Sequence, residues 1–371
     1  MALANGTTLG IALSGGGFRA TLFGLGGLLR LNDAGLLQRL DRVTSVSGGS
    51  ILAGVLASRW RNLQFVNGRA ANFESVVAEV VQKFCADTAD IEAGLLGWIT
   101  PFRSAGDYLR RHYEDELFGK TTMKQLPQRQ QNAAPLFVFY ATNMQTGRSF
   151  RFRQDFIADY RLGINDKADF PLATAVTASS AFPPIFSPVE IETNASDWRD
   201  EDFAGEPGLL KRLREKIVLA DGGIYDNMGL ESLSEDIKLV SDAGAPFSIE
   251  ESLRSDYFSQ LGRVRDILID QTRALRKSEL VDAFKSARLH GAYWGIGTKI
   301  ANFPATQKLA SDTATTAALE AIPTRLAATS ADVQDRLINW GYALADCALR
   351  SRADLHIPGS AGLPRPHHPL D

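Results

Sequence analysis

Residues 9–20 read LGIALSGGGFRA, and residues 42–50 read RVTSVSGGS. In each stretch a short apolar run typical of a β-strand ends near glycines, and the residues that follow have the apolar spacing of a helix. The first helix is predicted from Arg19 to about Asn32, and the second runs through Ile51 to Trp60. Two strand–turn–helix units at the start of the chain predict an α/β fold with a mostly parallel central sheet.

The rest of the chain adds strands and helices to the same fold. Strands are predicted at 136–142, 149–153, 216–220, 237–240 and 292–296, and helical segments at 73–127, 172–181, 252–284 and 333–349. The acidic stretch at 193–208 is predicted to be a surface insertion. The resulting prediction has three parts: a three-layer α/β domain over residues 1–250, a mainly helical C-terminal extension packed on it over 251–350, and a loose tail over 351–371.

The composition is that of an ordinary globular protein and shows no electrostatic sign of a nucleic-acid partner. Of the 371 residues, 44 % are hydrophobic and 22 % are charged, and the formal net charge is −3. The two cysteines, Cys85 and Cys347, cannot make a disulfide framework and show no metal-ligand spacing. The chain has no run of about 18 apolar residues and no signal-peptide pattern at its start, so the sequence predicts a cytoplasmic protein.

The serine at the second glycine break has the form of a nucleophile elbow. In the pattern G-x-S-x-G, Ser47 is the central residue and Gly49 the last, while Ser45 replaces the first glycine. A helix that starts at Gly48 would direct free N–H groups towards Ser47 and favour its alkoxide character. The alternative is that Ser47 only caps the helix.

The other two glycine breaks each allow more than one interpretation. Gly15, Gly17 and Ala20 fit the dinucleotide pattern G-x-G-x-x-A, but the same backbone could present amides to an oxyanion, or could simply form a turn. The only acidic residue near the second strand, Asp41, precedes that strand and does not follow it, which opposes the nucleotide interpretation. Asp221 ends a strand before two glycines, where it could project a carboxylate or cap the turn. All three breaks could meet beyond the strand ends of one sheet.

No histidine is a convincing general base for Ser47. The chain has five histidines: His112, His290, His356, His367 and His368. Only His290 follows Ser47 and Asp221 in the α/β-hydrolase order of Ser, Asp and His. That fold normally builds several strands before its elbow, whereas a single strand precedes Ser47 here. A triad with His290 is therefore the minor alternative.

The glycine motifs, taken together and in this order, resemble those of the patatin-like phospholipase family. They read Gly-Gly-Gly-x-Arg at 15–19, Ser-x-Ser-Gly-Gly at 45–49 and Asp-Gly-Gly at 221–223, and the stretch SSAFPPIF at 179–186 is also similar to the family pattern. The resemblance covers about residues 8–245. It implies the family's patatin-like α/β fold and a Ser–Asp dyad that works without histidine.

Carried over by position, the resemblance implies that Ser47 is the nucleophile and Asp221 its general base. Arg19 matches the family arginine that helps to hold the first glycine loop. Ala20 and Ser45 stand where the family usually has glycine, and both are small-for-small changes. The oxyanion hole is assigned to three backbone amides, those of Gly15, Gly16 and Gly17.

The implied activity is that of a lipid acyl hydrolase of the phospholipase A or lysophospholipase type, acting on a phospholipid or another lipid ester through an acyl-serine intermediate. Nucleophile, base and oxyanion donors are all supplied by the chain, so no cofactor, metal ion or calcium dependence is expected. The alternatives are a general carboxylesterase or acyltransferase, a non-enzymatic nucleotide-binding module, and an inactive family member that serves as a scaffold.

A lipid ester must be drawn from a bilayer, so apolar surface is expected near the site, with peripheral contact to the inner membrane surface. The alternative is that the residues chosen for this surface belong to the core of a helical segment. They are Leu95, Leu96, Trp98, Ile99 and Phe102.

Overall fold

The computed structural model describes residues 6–88, 105–129, 134–183, 185–186, 188–353 and 355–371. The described strands are β1 (Leu9–Leu13), β2 (Arg42–Val46), β3 (Phe65–Val66), β4 (Arg69–Ala70), β5 (Leu136–Asn143), β6 (Arg148–Arg153), β7 (Ile157–Asp159), β8 (Gly163–Asn165), β9 (Val189–Glu192), β10 (Trp198–Arg199), β11 (Lys216–Asp221), β12 (Ile237–Asp242) and β13 (His290–Gly295). The described α-helices are α1 (Gly17–Asp33), α2 (Gly48–Arg59), α3 (Glu79–Cys85), α4 (Ala105–Tyr113), α5 (Leu172–Ser180), α6 (Pro207–Glu215), α7 (Gly223–Asp226), α8 (Tyr257–Lys285), α9 (Ala314–Glu320) and α10 (Ala331–Arg352).

The centre of the molecule is a parallel five-stranded sheet in the order β13-β12-β1-β2-β5. The chain runs from β1 through β2 to β5 on one side and returns to place β12 and β13 on the other side. The order in which the chain adds strands to the sheet therefore reverses between β1 and β12. Open α/β sheets bind ligands at such a position. The predicted central sheet with flanking helices is confirmed.

Beyond β5 the sheet continues with antiparallel strands. Strands β6, β7, β8 and β10 extend it outwards, while β11 pairs with β5 and with β9. The hairpin β5–β6 matches the predicted strand pair at 136–142 and 149–153. Strand β10 falls in the stretch predicted as an insertion, and most residues of 193–208 are exposed or half-buried.

The C-terminal region is built into the same core as the parallel sheet. Helix α10 packs on α1 so closely that each helix needs a glycine: a Cβ on Gly26 would lie 2.0 Å from the Ile338 carbonyl oxygen, and one on Gly341 would lie 2.0 Å from the Phe23 carbonyl oxygen. Strand β13 adds an outer parallel strand next to β12. Residues after 250 thus contribute both a packed helix and an outer strand to this core.

The bounds of two predicted helical segments need correction. The segment predicted as helical at 73–127 is interrupted: α3 follows a π-helical turn at Glu74–Ala78, and α4 leads into a second π-helical turn at Glu114–Phe118. The helix predicted from residue 252 begins at Tyr257, because Asp256 caps it through its side chain.

The tail predicted to be loose is held against the core. Leu370 is 3 % exposed, and its carbonyl oxygen accepts a hydrogen bond from Thr313 Oγ1 at 2.6 Å. Asn339 Nδ2 donates to the carbonyl oxygens of Arg365 at 2.7 Å and His368 at 2.9 Å. The Pro- and Gly-rich composition predicted irregular backbone, but it contained no signal for these long-range contacts. No described helix has both the length and the apolar character needed to cross a membrane.

Candidate active site

Strands β2 and β11 pair with the same edge of β5 from opposite ends. Their last residues lie next to each other, which brings Ser47 and Asp221 together. Strand β2 pairs with β5 up to the pair Val46–Tyr140, and β11 approaches from the opposite direction and ends at the next position, Asp221–Ala141. Ser47 is the residue directly after β2. The Ser47 side chain therefore lies close enough to the Asp221 carboxylate to lower its pKa.

Ser47 has a backbone conformation that few residues other than glycine adopt. Its φ is 51° and its ψ is −119°, between the end of β2 and the start of α2. Glycine is required after it because the chain passes close to other backbone: a Cβ on Gly48 would lie 2.0 Å from the Gly17 carbonyl oxygen, and one on Gly49 would lie 2.3 Å from that of Leu13. This geometry has the form of a nucleophile elbow, in which a strained turn holds a serine clear of the sheet.

Three buried serines support the elbow from below. Ser50 Oγ donates to Ser45 Oγ at 2.9 Å and shares a hydrogen bond with Ser179 Oγ at 2.8 Å, while Ser179 Oγ accepts the backbone N–H of Ser47 at 3.0 Å. The serine that replaces the first glycine of the elbow pattern is thus part of a hydroxyl chain. Ser179, the first residue of the stretch SSAFPPIF, therefore helps to position the elbow.

Asp221 is 3 % exposed, and its surroundings adjust its basicity in two directions. Burial raises the pKa of the Asp221 carboxyl from 3.8 to about 6, although hydrogen bonds from the Gly223 amide and the Ser47 side chain lower it in part. The Gly223 N–H donates to Asp221 Oδ1 at 2.7 Å, and the Asp221 N–H donates to the Ala181 carbonyl oxygen at 3.1 Å. A carboxyl with this pKa can accept a proton near neutral pH.

Two of the three loop amides predicted as oxyanion donors have no acceptor among the described residues. The prediction for Gly15 is wrong, because its N–H already donates to the Asn227 carbonyl oxygen at 2.9 Å. Within the described part of the chain, the N–H groups of Gly16 and Gly17 have no acceptor. Both residues have positive φ, 144° and 59°, at the N-terminus of α1. These two amides, at the positive end of a helix, suit an oxyanion.

A third free amide belongs to Gly48, the residue after Ser47. It has no acceptor among the residues described, and the Gly48 backbone lies against Gly17. Gly48 is not among the oxyanion donors predicted from the sequence. The signal was present, since the residue after the nucleophile supplies one oxyanion donor in an elbow of this kind.

Asn227, which was not predicted from the sequence, connects the glycine loop with the turn after Asp221. Its backbone carbonyl oxygen accepts the Gly15 N–H. Its side-chain oxygen leaves no space for a Cβ on Gly15 or Gly223, because the two atoms would be 2.3 Å apart at Gly15 and 2.7 Å apart at Gly223. Two of the glycines at the site are therefore needed to make room for one asparagine. Nothing in the local sequence indicates this contact, because it joins segments about 200 residues apart.

Arg19 is buried below the glycine loop. It is 2 % exposed, and its Nε and Nη2 donate to the Ala243 carbonyl oxygen at 3.0 and 2.8 Å. Burial, together with the charge of Arg273, lowers the pKa of the Arg19 guanidinium to about 10. Its other contacts lie in the C-terminal region.

The alternative candidates are not brought to this site. His290 pairs with Ile237 at the amino end of β12, a whole strand length from the carboxyl edge where Ser47 lies, so a triad with His290 is excluded. Asp41 also lies at the amino edge, where its carboxylate accepts the Leu9 N–H at 2.7 Å. Among the described residues, no group of three or more His, Cys, Asp or Glu side chains is arranged to hold a metal ion. The predicted apolar surface at Leu95–Phe102 lies outside the described residues.

The family model for patatin-like phospholipases matches residues 11–234, which include β1, the elbow and Asp221. The chain belongs to the patatin-like phospholipase family. Two fungal proteins are similar to this chain over short segments. One is a probable lysophospholipase 2 of Schizosaccharomyces pombe, 39 % identical over 71 residues, which are 17 % of this chain and 11 % of that protein. The other is lysophospholipase 2 of Candida albicans, 46 % identical over 59 residues, 14 % of this chain and 10 % of that protein.

Two solved structures are similar in part. Human GIVD cytosolic phospholipase A2 is 14 % identical with a TM-score of 0.44, over 65 % of this chain and 44 % of that one. VipD from Legionella pneumophila is 16 % identical with a TM-score of 0.40, over 91 % of this chain and 66 % of that one. The segments matched in the fungal relatives thus amount to about a tenth of those proteins, and the match to the human enzyme to less than half of it.

Proposed function

We propose that this protein is a lipid acyl hydrolase of the phospholipase A or lysophospholipase type, with Ser47 as nucleophile and Asp221 as general base. The observation that carries the proposal is the juxtaposition of Ser47 and the buried Asp221 carboxylate at adjoining strand ends, next to free amides at a helix N-terminus. Membership of the patatin-like phospholipase family supports lipid esters as the substrate class.

The reaction proceeds in two halves. Asp221 takes the proton of Ser47 as its Oγ attacks the ester carbonyl, and the amides of Gly16, Gly17 and Gly48 bind the tetrahedral oxyanion. Collapse expels the alcohol, which leaves with the proton from Asp221, and an acyl-Ser47 remains. Asp221 then takes a proton from water as the water attacks the acyl group. The second collapse releases the fatty acid and returns the proton to Ser47.

Release of fatty acid from natural lipids tests this proposal against its enzymatic alternatives. We expect the protein to release free fatty acids from mixed phospholipid and lysophospholipid vesicles, measured by mass spectrometry, with Ser47→Ala as the blank. Hydrolysis of short p-nitrophenyl esters without release from any lipid would favour a general carboxylesterase. Acyl transfer to an added alcohol in preference to water would favour an acyltransferase, and nucleotide binding without hydrolysis would favour the binding module.

The surface that meets the lipid is, in this proposal, the outer face of α8. Of the fourteen large apolar side chains that are exposed in the described part of the chain, nine lie between Ile249 and Leu275. Five of them, spaced along one face of the helix, are more than half exposed: Tyr257, Leu261, Val264, Leu268 and Leu275. Exposed apolar residues in such a concentration mark an interaction surface, and a lipid bilayer fits a face of this composition.

This face borders the candidate active site because other residues of α8 contact segments next to Asp221. Arg276 lies 3.5 Å from the carboxylate of Asp226, which belongs to α7 directly after the Asp221 turn. Arg265 stacks over the ring of Phe182. Phe182 is the residue after Ala181, whose carbonyl oxygen accepts the Asp221 N–H. A bilayer docked on the outer face of α8 would therefore lie next to the entrance of the site.

Replacing two residues of this face should uncouple vesicle binding from ester hydrolysis. We expect Leu261→Ser with Leu268→Ser to weaken sedimentation with phosphatidylcholine–phosphatidylglycerol vesicles at least tenfold, because about 1 kcal/mol or more of apolar transfer is lost at each position. Hydrolysis of p-nitrophenyl butyrate should stay within about twofold. The control, Val66→Ser with Met144→Ser, changes exposed apolar residues elsewhere.

Two results would contradict the assignment to lipid. One is unchanged vesicle binding by the α8 variant. The other is a wild-type dimer in light scattering that the α8 variant converts to a monomer, which would assign the face to a second copy of the chain.

A further inference from the structure

One segment of the C-terminal region crosses the glycine loop, far outside residues 11–234 that the family model matches. We name residues 322–329, between α9 and α10, the strap. Its far end is fixed at the end of α3, where the Thr329 N–H donates to the Cys85 carbonyl oxygen and the Ala328 N–H to Thr88 Oγ1, both at 2.9 Å. Leu326, in the middle of the strap, is 4 % exposed. The strap is thus a fixed part of the fold.

The strap touches the glycine loop through its backbone. The Phe18 N–H donates to the Arg325 carbonyl oxygen at 3.0 Å, and the Arg325 backbone packs so close to Gly17 that a Cβ there would lie 2.3 Å from the Arg325 carbonyl oxygen. The first N–H groups of an α-helix have no partner within the helix. At α1 the strap accepts the N–H of Phe18, while those of Gly16 and Gly17 remain free for a ligand.

A buried positive charge holds the strap and the loop together. Arg19 Nη1 donates to the Ile322 carbonyl oxygen, and Nη2 donates to Thr324 Oγ1 at 2.9 Å. With the two bonds to the Ala243 carbonyl oxygen, these contacts satisfy a guanidinium that is 2 % exposed. An unsatisfied buried charge is strongly unfavourable, so the position of Arg19 depends on the strap.

We propose that the strap is a positioning element of the active site: it fixes the glycine loop so that the Gly16 and Gly17 amides point at the oxyanion. This inference rests on the proposed ester hydrolysis. It makes the C-terminal region part of the catalytic unit, although the dyad and the glycine loop lie within the segment that the family model matches. Its role is confined to the oxyanion donors, since Ser47 and Asp221 are held by Ser179 and Ala181 instead.

The test compares two strap variants with a matched control. Pro323→Gly/Thr324→Gly/Arg325→Gly loosens the strap backbone, and Thr324→Val removes only the bond from Arg19. Thr306→Val is the control, because Thr306 is exposed and distant in sequence from the strap. With p-nitrophenyl butyrate we expect kcat to fall about a hundredfold in the triple variant and about fivefold in Thr324→Val, with KM within twofold in both.

Two further measurements separate positioning from a general loss of structure. A trifluoromethyl ketone forms a tetrahedral adduct with Ser47, so its inhibition constant should rise by the same factor by which kcat falls. Hydrogen–deuterium exchange of the peptide covering residues 14–22 should become at least tenfold faster in the triple variant, and not in Thr306→Val.

The possible outcomes are distinct. An unchanged kcat and inhibition constant in Thr324→Val and the triple variant would overturn the inference, and if the triple variant does not fold, Thr324→Val alone decides. If the wild type hydrolyses no ester, the proposed function fails. In that case exchange of residues 14–22 still decides whether the strap holds the loop: faster exchange in the strap variants supports this, and equal exchange refutes it.

Discussion

Ser47→Ala is expected to lower kcat for ester hydrolysis by a factor on the order of 10⁵ and to abolish labelling by a fluorophosphonate probe. The hydroxyl is the only group in the proposed mechanism that bonds to the acyl carbon, so its removal leaves only binding and oxyanion stabilisation. The measurements are single-substrate kinetics with p-nitrophenyl butyrate and in-gel fluorescence of the probe. Ser58→Ala, which alters a serine farther along α2, serves as the control and should keep full activity.

The backbone of Ser47 provides a second, independent readout. Its φ of 51° is unfavourable for any residue with a Cβ, whereas glycine adopts it freely. Ser47→Gly should therefore be as inactive as Ser47→Ala but more stable than it by about 1 kcal/mol in urea unfolding. Probe labelling that persists in both variants would show that another residue is the nucleophile.

Asp221→Asn is expected to lower kcat by about 10³ to 10⁴, because the asparagine side chain cannot accept the proton of Ser47. In the wild type, kcat/KM should rise with pH and level off above the pKa of about 6, as the carboxyl becomes ionised. The residual activity of Asp221→Asn should lack this rise. A wild-type profile that is flat between pH 5 and 7 would contradict the role of Asp221 as the base.

As pH rises, the free energy of unfolding should fall over the range in which the activity rises. The pKa of Asp221 is about 6 in the folded protein and 3.8 in the ordinary carboxyl, so the folded state binds the proton more tightly. Ionisation of this group therefore destabilises the folded state as pH rises from about 4 to 6, by up to about 3 kcal/mol in total. Asparagine does not ionise. Relative to wild type, the free energy of unfolding of Asp221→Asn should increase between pH 4.5 and 7.5, and a difference that does not change with pH would contradict this.

Much of the site could be predicted because its parts are local. The strand ends at Leu13 and Val46 and the glycines after them follow from apolar patterning, and the elbow needs only residues 45–49. The resemblance then linked Asp221 to Ser47 across the chain. In the structure that link depends on the register of two strands on β5, which no local pattern contains.

Apart from the Gly48 amide, the parts of the site that could not be predicted are contacts between distant segments. Asn227 takes the Gly15 amide, the strap takes the Phe18 amide, and Ser179 supports the elbow from another helix. Each uses a backbone group or a common polar residue with no distinctive sequence signal. The glycine pattern alone could not predict which amides of the loop stay free, because that depends on the acceptors that distant segments place next to them.

The outer position of β13 has a practical consequence for any shortened form of the protein. Without the residues that follow the predicted boundary near 250, β12 would become an edge strand, with its N–H and C=O groups unpaired along the side that now faces β13. Leu239 and Val240 at its centre are fully buried, so this new edge would be apolar as well. Such an edge is a template for pairing between molecules, and a fragment cut there would tend to aggregate before it could turn over any substrate.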